Sequence, residues 1–113
     1  MKYMLLIYSN PAVWEALSDE ERAALGPEHA ALIEELVESG EWVGGSVLQA
    51  PSQSRTVRVR DGAALTTDGP FAEVKEHMAG YDIVDCVSVE RALEIAARIP
   101  DARLSGVEVR PLG

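Results

Sequence analysis

Lys2-Tyr3-Met4-Leu5-Leu6-Ile7-Tyr8 opens the chain, and its alternation decides the fold. Tyr3, Leu5 and Ile7 form one set of alternate positions, and Met4, Leu6 and Tyr8 form the other. Successive strand side chains point to opposite faces, so a segment apolar in both sets is a strand covered on both sides. Ala79-Gly80-Tyr81-Asp82-Ile83-Val84-Asp85-Cys86-Val87 reads the same way, as a second buried strand.

The segments between them alternate in type. Asn10-Pro11 opens a short turn or helix, with Asn10 as cap and Pro11 in the first helical position. Ser18-Asp19-Glu20-Glu21 is a capping-box signature. Gly26 and Pro27 interrupt the run, and Pro27 is expected to start a fresh helix. Its stripe is His29, Leu32, Ile33, Leu36 and Val37, and Gly40 sits where a left-handed cap would end it. Residues 42–48 read as a strand in which Gly44-Gly45 marks a bulge or a close backbone approach. Residues 56–60 and 63–67 flank Asp61-Gly62, a strong hairpin signal. Ser88 caps a second helix with the stripe Val89, Ala92, Leu93, Ala96 and Ile99, ended by Pro100. Residues 106–110 form a last strand.

Two helices that each join one strand to another cover only one face of a small sheet. The opposite face then needs its own cover. A second copy of the same sheet supplies it most simply, because two-fold homodimers are the commonest oligomers. The expected architecture is α+β, a ferredoxin-like protomer that dimerises sheet to sheet.

The 113 residues suit one domain over 1–113. The formal net charge of −9 opposes binding to phosphate backbones and anionic lipid, so no direct nucleic-acid or membrane partner is expected. Arg55, Arg58 and Arg60 share one strand, but odd and even positions face opposite ways. No segment approaches the roughly 18 apolar residues of a membrane span. The start lacks a signal-peptide cleavage site. One cysteine, Cys86, builds no disulfide framework within a chain, and we expect a cytoplasmic protein.

Residues 67–76, Thr-Asp-Gly-Pro-Phe-Ala-Glu-Val-Lys-Glu, resemble the signature of the DGPF family within the YCII-related domains. Gly80-Tyr81-Asp82-Ile83-Val84-Asp85 resembles that family's core strand, and Val107-Glu108-Val109-Arg110-Pro111 its closing strand. The resemblance implies a dimeric α/β barrel built from ferredoxin-like protomers. It implies no settled activity. Members stand beside, or are fused to, extracytoplasmic-function sigma factors, which implies such a factor as a partner. Two departures stand out. Val74 takes the place of the family's usual Thr. Related YciI proteins carry a His on the first helix and an Asp before the Pro that ends the second; Pro27-Glu28-His29 resembles the first part, but Ile99 stands where the acid would be. Asp101, Asp68 and Glu76 are the substitutes the sequence offers.

The candidate residues follow from this. His29 lies on the apolar stripe near an expected helix N-terminus, which disfavours its charged form. A neutral imidazole there is either a general base or a half-buried ring bonded to backbone. Glu76 is the second candidate acid or base. Asp68, Phe71, Lys75 and His77 are the candidate ligand contacts, because a charged loop beside a core strand is where sites are built. The plainer readings are that Asp68 caps its own turn, Phe71 plugs the loop onto the domain, and Glu73, Lys75, Glu76 and His77 are solvated. No spacing marks a metal site, and no cofactor motif occurs.

Three functions remain open. One is a non-enzymatic homodimer that binds a small molecule or partner in stress or signalling. Another is a small enzyme using His29 or Glu76 as general base, with Lys75 orienting an anionic substrate. The third is a sigma-factor accessory protein.

Overall fold

The computed structural model describes residues 1–113. β1 (Lys2–Ser9) runs through the middle of the sheet. α1 (Pro11–Ala16) follows at once, its first free amide bonded by the Asn10 side chain. α2 (Asp19–Ser39) starts at the expected capping box: Ser18 Oγ accepts from the Glu21 amide, and the Glu21 carboxylate accepts from the Ser18 amide. β2 (Trp42–Val47), the hairpin strands β3 (Arg55–Arg60) and β4 (Ala63–Asp68), β5 (His77–Asp85), α3 (Val89–Arg98) and β6 (Gly106–Pro111) complete the chain.

Four strands form one antiparallel sheet in the order β2-β5-β1-β6, and β3 and β4 form a separate two-stranded sheet. This is an α+β fold, and with the hairpin set aside its strand order matches the ferredoxin-like expectation. Tyr3, Leu5 and Ile7 point to the helix side, where Leu32 and Leu36 of α2 and Ala92, Ile95, Ala96 and Ile99 close the core over Val84. On the other face Met4 lies opposite Ile83, Leu6 opposite Tyr81 and Tyr8 opposite Met78, with no helix of the chain above them. Asp61 and Gly62 both take positive φ, 49° and 77°, as the hairpin turn requires.

Three local expectations change. Gly26-Pro27 does not break the helix; α2 runs unbroken through Pro27. An internal proline costs about 3 kcal/mol and frees the Ala23 carbonyl, but both Ala23 and Pro27 are exposed, so that carbonyl is not left in a dry interior. The capping box at one end and the burial of Leu32 and Leu36 at the other carry the helix past it. On α3, Ile95 is buried, whereas Leu93 and Val89 are exposed, so the stripe is rotated from the one expected. Finally, β5 begins two residues early, at His77, and stops before Cys86.

Candidate functional site

Asp82 is the buried charge that must be explained. It occupies a core-facing position of β5, opposite Leu5, and is 3% exposed. A buried carboxylate needs a partner. His29 supplies it: Nε2 lies 2.6 Å from Asp82 Oδ2. The continuity of α2 sets this contact, because it places His29 in the middle of the helix, above the sheet, rather than in a first turn. The helix-end argument for a neutral imidazole falls with that premise. The hydrogen bond to Asp82 raises the His29 pKa above its ordinary 6.5, burial opposes the shift, and the charges of Asp82 and Asp101 add to it.

Asp101 stands in the 3₁₀ turn Pro100–Arg103. Burial pushes its carboxyl pKa up, while its own backbone amide, His29 and Arg103 pull it down. Arg103 clamps Glu28 through two hydrogen bonds of 2.7 and 2.9 Å, which ties this turn to α2 one residue before His29. Gly45 makes the space on the other side. A Cβ there would stand 2.5 Å from the Tyr81 carbonyl oxygen and 2.6 Å from Asp82 Oδ1. The close backbone approach read from Gly44-Gly45 is thus real at Gly45, and the register shift between Trp42 and Gly44 accompanies it.

His29, Asp82 and Asp101 line one cavity of about 340 Å³ with Trp42, Ser46 and Gly80 among its other walls. With Nε2 committed to Asp82, Nδ1 is the ring nitrogen left to exchange a proton with a guest. The buried carboxylate favours the protonated ring and fixes its orientation, the arrangement that makes an imidazole an acid–base group.

The other candidates lie elsewhere. None of residues 68–77 lines this cavity. Glu76 borders a shallow groove of about 390 Å³ with Tyr8, Ser105 and Glu108. His77 lines a wider groove of about 920 Å³ where the hairpin leaves the sheet, with Leu48, Pro70 and Val74. Asp68 faces Arg55 loosely, at 3.9 Å, with both side chains in solvent. Lys75 is exposed and makes no ion pair. Phe71 is 77% exposed rather than plugged into the domain, and the Arg58 guanidinium lies 5.0 Å from its ring centre. Ile99, in the place of the resembled family's acid, is fully buried in the core. Asp82 is the residue that sequence reading missed as a site residue. The available signal was an acid at a core-facing position of a strand otherwise apolar there.

The family model of the YCII-related domain matches residues 1–112. The chain belongs to the YCII-related domain family. A further relative is an uncharacterised protein of Rhizobium meliloti (strain 1021), 34% identical over 114 residues, which span 99% of this chain and 92% of the relative. In this YCII-related domain no helix is long and apolar enough to cross a membrane.

Proposed function

We propose that this YCII-related protein binds a small polar molecule in the His29 cavity and that His29, held by Asp82, is its proton-transfer group. The observation that carries the reading is the 2.6 Å contact between two groups that both line a cavity of about 340 Å³. Two carboxylates face one imidazole there, so the site favours a neutral or positively charged guest over an anion. Lys75, the cation considered for an anionic substrate, stands outside it.

We further propose a homodimer built on the helix-free sheet face, supported by Met4, Leu6, Tyr8, Tyr81 and Ile83 on that face. Residues 67–76 support membership of the DGPF branch, and the buried, lone Cys86 supports a cytoplasmic setting. A sigma-factor partner rests on the DGPF resemblance alone; a pull-down with such a factor decides it, and no capture at micromolar protein removes it.

Thermal-shift screening of small polar molecules tests the site. A true guest stabilises the wild type by about 2.7 kcal/mol at a hundredfold excess over its Kd. It gives little or no shift with His29→Ala or Asp82→Asn. Guests that stabilise all three proteins equally place binding elsewhere and end the reading. Each guest is then followed for turnover.

A further inference from the structure

We propose that the guest of the His29 cavity is a small organic cation whose primary ammonium group donates to Asp82 Oδ1 and to Asp101 beside the Trp42 ring. The inference rests on the cavity reading above and adds the chemical class of the guest.

The free oxygen of Asp82 gives the first reason. Its side chain is only 4% exposed, and Oδ2 is taken by His29 Nε2 at 2.6 Å. Oδ1 receives no hydrogen bond from the chain. Every fully enclosed side-chain oxygen or nitrogen in the chain has a partner, so Oδ1 is not enclosed; it opens on the cavity that Asp82 lines. Gly45 is what leaves it open, because a Cβ at that position would stand 2.6 Å from Oδ1. A buried carboxylate oxygen without a donor is costly, and a guest that brings an N–H removes the cost.

Charge gives the second. No Lys or Arg lines the cavity. The nearest guanidinium, that of Arg103, is held by Glu28 through two hydrogen bonds. No other side chain bonds to Asp101, which feels the charges of both His29 and Asp82. With the imidazole protonated, one negative charge is left over between the two carboxylates. A neutral donor satisfies Oδ1 and leaves that charge standing, whereas a monocation cancels it. The net charge of −9 concentrates cations around the whole molecule as well.

The walls fit the rest of such a guest. The point where a Gly45 Cβ would stand is 2.9 Å from Trp42 Cη2 as well as 2.6 Å from Asp82 Oδ1, so the indole borders the same spot as the free oxygen. Trp is the aromatic side chain that attracts a cation most strongly. Ile7 and Ile33 supply apolar surface for an organic body, and about 340 Å³ suits a small molecule.

Benzylamine, benzyl alcohol and benzoate share one ring and one size and differ in charge at about pH 7. NMR titration of the full chain with each, in wild type and Asp101→Asn, tests the proposal. The Asp101 backbone carbonyl keeps its bonds from the Leu104 and Ser105 amides in that variant, so the turn is expected to survive, with circular dichroism as the check. The expected result is that benzylamine moves the amides of Ser46, Gly80 and Asp82 and binds about tenfold or more tighter than benzyl alcohol, with benzoate weakest. Asp101→Asn weakens benzylamine about tenfold and leaves benzyl alcohol within about twofold. Benzyl alcohol or benzoate bound in the cavity as tightly as benzylamine overturns the cation and leaves the cavity reading standing. Benzylamine that spares those amides, or binds Asp101→Asn as well as wild type, is drawn by the acidic surface at large, and the cation is again overturned. If none of the three compounds moves those amides, both readings fall.

Discussion

Replacing His29 and Asp82 singly and together isolates the energy that joins them. Asp82 is 3% exposed, and the 2.6 Å contact with His29 is the side-chain hydrogen bond its carboxylate receives. His29→Ala withdraws that bond and leaves a carboxylate at the cavity wall. Hydrogen bonds to charged groups contribute about 1.5–3 kcal/mol, and the adjoining cavity lets water replace part of the loss. The expected coupling is therefore at the lower end, about 1.5–2 kcal/mol at about pH 6. Urea unfolding of the wild type, His29→Ala, Asp82→Ala and the double variant measures it. The pH dependence has a definite sign. The His29 pKa is raised above 6.5 in the folded protein, so its contribution is complete below 6.5 and is lost as pH climbs through the raised value. The same cycle repeated at rising pH gives a smaller coupling once the raised value is passed and the imidazole loses its proton. A coupling below about 0.5 kcal/mol at about pH 6, within ordinary additivity, refutes the pair. So does a coupling that grows with pH.

Four further outcomes are expected. Gly45→Ala costs about 1–3 kcal/mol and disturbs the His29 titration seen by NMR, because its Cβ would meet Tyr81 and Asp82; Gly44→Ala, which meets nothing within 4 Å, stays within about 0.5 kcal/mol. Two hydrogen bonds from Arg91 hold the Glu41 pKa at about 2, down from 4.5. Its stabilisation is present above 4.5 and lost as pH falls toward about 2, so Glu41→Gln flattens stability against pH across that window in urea titrations. Leu36→Ala empties a buried core position and costs about 2–5 kcal/mol by the same assay. Ser18→Ala removes the capping box and costs about 1 kcal/mol, read as a lower Tm.

Much of the fold was legible because local signals agreed with tertiary demand. The double apolar alternation of residues 2–8 marked the central strand, Ser18 marked the helix start, and Asp61-Gly62 marked the hairpin turn. Pro27 misled because its cost is local, whereas the burial that outweighs it comes from Leu32 and Leu36 further along. That single misreading displaced His29 to a helix end and reversed the expected direction of its pKa shift. Asp82 was hidden for a different reason. It sits 53 positions from its partner, and nothing local to a strand announces a contact across the fold. The alternation of residues 55–60 identified a strand but could not tell that it would pair only with β4, outside the main sheet.

The account stands or falls on where small molecules settle. NMR mapping of a polar fragment library onto assigned amides and both histidine rings addresses that directly. The account predicts that fragments perturb His29, Ser46, Gly80 and Asp82 together, the walls of one cavity. Fragments that leave these unmoved and gather instead around Leu48, Pro70 and His77, at the root of the hairpin, would contradict it.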